Sequence, residues 1–131
     1  MDVFVAMPFG EPAQQAMDSL TSILARAGYA VRTASEGDSD PIARGVLDAI
    51  GQTDVFIADV SGSSPNVMYE LGYAAAMGKS IILLVSTDAL DRLPIDLASY
   101  RVLIYDPNNE SALRKRLLQH LEDLQPHYVA R

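Results

Sequence analysis

The residues best suited to chemistry fall in one stretch, from Asp59 through Ser61, Gly62, Ser63 and Ser64 to Asn66 and Glu70. The Ser-Gly-Ser-Ser run leads into a helix start. Such a terminus offers unpaired N–H groups and the positive end of a dipole, which suits a phosphate. The same residues also read as a small loop before a capped helix, with Ser64 as N-cap and Pro65 at the first helical position. They form neither a Walker loop nor a Gly-x-Gly-x-x-Gly fingerprint, so kinase-like phosphoryl transfer is not indicated. Glu70 lies two turns further on, beside an apolar stripe of Val67, Leu71, Ala74 and Ala75, with Asn66 on its own face and Tyr73 within reach. An acid at the edge of such a stripe is a candidate catalytic carboxylate; the alternative is a solvated surface acid. Asp59 closes an apolar run. It can bond a ribose hydroxyl or a leaving group, or accept N–H groups of the loop that follows.

The surrounding sequence must position these groups. Apolar, β-rich runs at 2–8, 29–34, 54–60, 80–86 and 100–105 predict five strands. Between them, helical periodicity places Ala13, Ala16, Met17, Leu20, Ile23, Leu24 and Ala27 on one face, ended by Gly28. A second helix follows Asp40-Pro41 and buries Ile42, Val46, Ala49 and Ile50. A third runs from Pro65 to a stop at Gly78. A last helix over 110–124 turns Leu113, Leu117, Leu118, Leu121 and Leu124 inward. The connection 87–99 is expected to hold one helical turn. Runs 54–60 and 80–86 are apolar on both faces, as in the centre of a parallel sheet.

Alternating strands and helices joined by right-handed crossovers predict an α/β, flavodoxin-like three-layer sandwich. Its five-stranded parallel sheet has order 2-1-3-4-5, with helices on both faces, in one domain over 1–131. Ligands of such sheets bind beyond the carboxyl ends of the strands, at the switch point between strands one and three. The segments 8–12, 35–41 and 59–70 meet there. The predicted crevice therefore holds Phe9, Gly10, Asp59, the serines of 61–64, Asn66 and Glu70.

Bulk properties exclude several classes. The chain has 131 residues, 49% hydrophobic and 21% charged, which suits one globular domain. A net charge of −7 argues against a nucleic-acid partner, which needs basic patches. The absence of cysteine removes thiol nucleophiles and zinc fingers, and no His/Asp spacing suggests a metal. His120 and His127 belong to the last helix and tail, far from the crevice. Arg114, Lys115 and Arg116 read as the wet face of that helix. With no signal peptide or membrane-length apolar run, the expected location is cytoplasmic.

The opening DVFVAMPFG, the long block DPIARGVLDAIGQTDVFIADVSGSSPNVMYELGYAAAMGKSIILL and the later LPIDLASYRVLIYD resemble the nucleoside 2-deoxyribosyltransferase-like superfamily. The resemblance is to its bacterial branch, which shades into Toll/interleukin-receptor (TIR) domains, and YELGYAAAMGK is its most specific part. It implies cleavage of an N-glycosidic bond at C1′ by a Glu matching Glu70. In the transferases that Glu is the nucleophile and an Asp matching Asp59 assists. In TIR enzymes the Glu binds the ribose of NAD+, and the loop matching Ser35 to Pro41 shapes the site and mediates assembly. Phe9 matches a pocket-lining position, although MPFG stands where the transferases have a Gly-Pro pair.

Nicotinamide leaves NAD+ as a neutral ring and needs no acid, whereas a purine leaves better when protonated. With one acid placed and a phosphate-friendly loop, the expectation is an NAD+ glycohydrolase acting through Glu70. NAD+ would be its substrate, with no cofactor, and the chain would form a homo-oligomer or assemble through the 35–41 loop. The alternatives are a nucleoside 2-deoxyribosyltransferase, a nucleoside monophosphate N-glycosidase, or a non-catalytic nucleotide-binding or TIR-type interaction module.

Overall fold

The computed structural model describes residues 1–8, 11–33, 44–93 and 95–124. Strands β1 (Asp2–Ala6), β2 (Ala30–Thr33), β3 (Val55–Asp59), β4 (Ser80–Ser86) and β5 (Arg101–Tyr105) alternate with helices α1 (Glu11–Arg26), α2 (Arg44–Gln52), α3 (Pro65–Ala76) and α4 (Glu110–Leu124). The strands form one parallel sheet in the order β2-β1-β3-β4-β5, as the alternation demands. The connection between β4 and β5 contains two short 3-10 turns, Thr87–Ala89 and Leu97–Ser99, rather than one helical turn.

Strand alternation divides the core into two layers. Val3, Val5, Val55, Ile57, Ile82, Leu84 and Leu103 face α1 and α4, where they meet Leu20, Leu24, Leu117 and Leu121. Phe4, Phe56, Ala58, Leu83 and Val85 face α2 and α3, where they meet Val46, Ile50, Val67, Leu71 and Ala74. Paired in register across β1 and β3, Phe4 and Phe56 stack with ring centroids 5.8 Å apart. Because β3 and β4 are covered on both sides, their middles, 55–58 and 81–85, are wholly apolar and polar residues return at their carboxyl ends. There Asp59 and Ser86 appear, both buried.

Helix ends follow from local chemistry. At α3, Lys79 N–H bonds Ala74 O (3.1 Å) and Gly78 N–H bonds Ala75 O (3.1 Å), while Gly78 takes φ +73°. That is a Schellman stop, which needs a left-handed residue that only glycine adopts without strain. Gly28 does the same for α1, with φ +97°. Two expected core positions differ. Ala27 and Ala75 are exposed, because each lies past the strip of its helix that touches the sheet. On α3 the buried set is Val67, Glu70, Leu71 and Ala74, so Glu70 belongs to the stripe itself. Among the described residues no helix is long and apolar enough to cross a membrane.

Candidate active site

Asp59 ends β3 and is 9% exposed. Its Oδ1 accepts a bond from the Ser61 N–H at 3.0 Å, so the carboxylate does brace the loop that follows. Its Oδ2 accepts the Tyr105 hydroxyl at 2.6 Å. Ser61 in turn accepts the Ser86 N–H on its Oγ at 2.8 Å, tying the loop to the end of β4. Register places Asp59 opposite Leu84 and Ser86 opposite Tyr105, so Ser86 and Tyr105 lie two residues beyond the level of Asp59, on its own face of the sheet. Burial, and then the charge and hydrogen bond of Asp59, push the Tyr105 phenol above its ordinary pKa. It is held as a neutral donor.

The Ser61–Ser64 loop turns on a Ser63 N–H bond to Val60 O (3.1 Å). Ser63 itself adopts φ +51°, a conformation costing a non-glycine residue about 1 kcal/mol or more. The chain then enters α3, where the Ser64 carbonyl takes the first helical bond, from Met68 N–H at 2.9 Å. Contrary to the expected cap, the Ser64 hydroxyl makes no capping bond. Pro65 has no N–H to offer at the first helical position; the first-turn N–H groups after it lack intrahelical acceptors, an arrangement that suits an anion.

Glu70 follows on α3, only 3% exposed, with Val67, Leu71 and Ala74 around it in the stripe. Burial raises its carboxyl from 4.5 to about 7. Desolvation disfavours the charged form. Six residues of helix separate Ser64 from Glu70, a rise of about 9 Å. The helix start and the Glu70 carboxyl are thus held at a fixed separation.

The two acids do not share a face. Asp59 has the parity of Ile57 and turns toward α1 and α4, while Glu70 projects from α3 in the opposite layer. Asp59 and Tyr105 instead border a recess of about 70 Å³, walled by Met7, Leu84 and Leu113. Asn66 is half-buried in the first turn of α3. Tyr73 is not brought to the loop. Its hydroxyl reaches toward Gly51, near the carboxyl end of α2 and so at the opposite edge of the sheet. Gly62 is exposed, in open space. Phe9, Gly10 and the 35–41 loop lie outside the described residues.

Three residues escaped the sequence reading. Tyr105 and Ser86 end their strands beside Asp59, and counting strand ends as site positions would have found them. Arg114 is half-buried and lines the recess, whereas Lys115 stays exposed and Arg116 bonds Ile104 O at 2.6 Å. Among the described residues no cluster of three or more His, Cys, Asp or Glu could hold a metal ion.

Comparison with known proteins follows the same lines. The family model of nucleoside 2-deoxyribosyltransferase matches residues 3–93, which include β1, β3, the serine loop and Glu70. The solved structure of a CMP N-glycosidase from Clostridium botulinum is similar at 26% identity and a TM-score of 0.65. The alignment covers 89% of this chain and 98% of that one. A 2-deoxyribosyltransferase from Bacillus psychrosaccharolyticus shares the fold at 16% identity and a TM-score of 0.62, covering 85% of this chain and 90% of that one. No curated protein matches the chain significantly in sequence.

Proposed function

The chain belongs to the nucleoside 2-deoxyribosyltransferase family, whose chemistry is cleavage or transfer at an N-glycosidic bond, and from that premise we propose that it hydrolyses a nucleoside 5′-monophosphate. The observation that carries the reading is the pairing, on one helix, of an anion-ready start at Ser64 with a buried carboxylate at Glu70. The 5′-phosphate rests on the Ser64 hydroxyl and the first-turn N–H groups of α3, which sets C1′ against Glu70. The Glu70 carboxylate attacks C1′ through an oxocarbenium-like state. The C1′–N bond breaks, its electron pair leaves with the base, and the base takes up a proton. Water then cleaves the glycosyl ester, releasing the sugar 5-phosphate and restoring the carboxylate. Capture of the same ester by a second base would give transfer instead. The likeness to a CMP N-glycosidase, covering nearly all of that chain, favours a monophosphate over a bare nucleoside.

A second reading, NAD+ glycohydrolysis in the manner of TIR enzymes, is favoured by one feature of the site. Asp59 is turned to the other face and engaged with Tyr105 and Ser61, so Glu70 stands without that acid beside it. Nicotinamide, leaving as a neutral ring, needs none.

Chromatography of CMP, AMP, cytidine and NAD+ after incubation with wild type and Glu70→Ala tests both. Free base from the monophosphates, lost in the variant, is the expected result. Nicotinamide release with the monophosphates untouched transfers the assignment to NAD+. Turnover that survives in Glu70→Ala refutes both.

A further inference from the structure

Asp59 and Tyr105 take no part in the step at Glu70, yet Asp59 is bonded to the loop that leads into α3 and Tyr105 is bonded to Asp59. We propose that the pair is a strut: Tyr105 locks the Asp59 carboxyl, Asp59 holds the Ser61 N–H, and the serine loop is thereby kept in the shape that receives a 5′-phosphate. Both are positioning residues, and Asp59 exchanges no proton with substrate. The inference rests on the nucleotide reading above and names the groups that hold its phosphate loop.

A carboxyl held by one donor can turn about its last torsion and exchange its oxygens. Asp59 has two donors from different directions. Ser61 N–H, two residues along the chain, meets Oδ1 at 3.0 Å, and Tyr105 OH, from a strand 46 residues away, meets Oδ2 at 2.6 Å. Tyr105 is itself fixed by register opposite Ser86 on β4, whose N–H bonds the Ser61 Oγ at 2.8 Å. Val60 N–H bonds Leu84 O and Ser63 N–H bonds Val60 O, both at 3.1 Å, so the turn is fastened on either side of Ser61. Ser63 needs that fastening. At φ +51° it holds a conformation that persists in a non-glycine residue only where surrounding bonds over-determine it.

The same geometry separates Asp59 from the chemistry. A general acid must come within hydrogen-bond reach of the atom it protonates. Asp59 faces the α1–α4 side, among Leu20, Leu113 and Tyr105, while Glu70 projects from α3 in the opposite layer. Burial and Asp59 keep the Tyr105 phenol protonated, so the donor to Oδ2 persists at neutral pH. Tyr105 also lies beyond residues 3–93, so the family match does not contain this strut.

Asparagine distinguishes a strut from an acid. It keeps an oxygen for the Ser61 N–H and an amide that can donate to the Tyr105 oxygen, but has no proton to exchange. Asp59→Ala, Asp59→Asn and Tyr105→Phe are compared with wild type by KM for CMP, by inhibition with cytidine, and by amide hydrogen exchange over 61–64. Asp59→Ala should raise KM for CMP about tenfold, the factor for one charge-assisted hydrogen bond, with cytidine inhibition unchanged. Asp59→Asn should restore KM to within about threefold of wild type, and Tyr105→Phe should fall between the two. Exchange at Ser61 and Ser63 should quicken in Asp59→Ala and Tyr105→Phe. A purely structural role would speed the core amides of β3 and β4 through global unfolding and leave local exchange in the loop unchanged. Should Asp59→Ala fail to fold, Tyr105→Phe, which removes one hydroxyl, and Asp59→Asn carry the measurements. Asp59→Asn with base release lost assigns proton transfer to Asp59 and overturns the strut, as does weakening of cytidine equal to that of CMP. Base release from wild type with loop exchange unaltered in Tyr105→Phe overturns the strut and leaves the glycosidase reading standing. No base release from any nucleotide by wild type sinks that reading, and exchange over 61–64 then decides the strut alone.

Discussion

Replacing Glu70 by Gln separates the cost of burying this carboxylate from its use. Glu70 is 3% exposed, and its carboxyl is raised from 4.5 to about 7 by desolvation. Between those two values the folded protein holds a proton that the unfolded chain has released. Folding therefore takes up a proton, and stability falls as pH rises through that window. Below 4.5 the penalty is absent; above 7 it is complete. The difference between 4.5 and about 7 corresponds to about 3 kcal/mol. Glutamine never ionises, so its own cost, including any unmet amide bond, is nearly the same at every pH. The expected result is that Glu70→Gln, relative to wild type, gains about 3 kcal/mol between pH 4 and pH 8, equivalent to about 10 °C in melting temperature. Urea unfolding at the two pH values measures it. A pH-independent difference between the proteins would refute the reasoning, because Glu70 would then ionise as freely folded as unfolded. The same substitution should abolish base release. In wild type, release should increase as pH rises through about 7, since only the carboxylate attacks.

Three further outcomes follow from the geometry. Ser64→Ala removes a hydroxyl that makes no capping bond, so unfolding in urea should shift by less than about 0.5 kcal/mol, while KM for a nucleoside monophosphate increases about tenfold and that for the nucleoside stays unchanged. Tyr105→Phe leaves Asp59 Oδ2 without its 2.6 Å donor and should cost about 1–3 kcal/mol in urea unfolding, with Asp59→Asn partly relieving the loss in the double variant. Gly78→Ala forces a side chain into φ +73° and should lower stability by about 1 kcal/mol, read as a drop in melting temperature.

The layers of the fold were legible in the sequence because periodicity is a one-dimensional record of burial. Runs such as 54–60 and 80–86, whose apolar residues fall on both faces, announce strands covered on both sides, and β3 and β4 are those strands. The turn at Gly28, the stop at Gly78 and the helix start at Pro65 were legible too, since each is fixed by the backbone chemistry of one or two residues. Less readable were degrees of burial on a helix edge. Ala75 and Glu70 flank the same stripe, and alanine looks like the inward residue on hydrophobicity alone. The structure reverses them, because the angle at which α3 meets the sheet is set by Val67, Leu71 and Ala74 against Phe56 and Ala58.

By itself, then, the sequence determined the strand and helix alternation, the parallel sheet and the path by which the serine loop leads from Asp59 into α3. These depend on local propensity and on the handedness of crossovers, both properties of short segments. Tertiary structure alone decided that Asp59 and Glu70 face opposite layers, that Asp59 is clasped by Tyr105 from a strand 46 residues away, and that the Ser64 hydroxyl makes no capping bond. Each of those follows from register between strands and from the packing angle of a helix, and neither quantity has a signature in any one stretch of chain. The raised pKa of Glu70 belongs with them. It comes from desolvation, and desolvation is the work of residues that only folding brings around it.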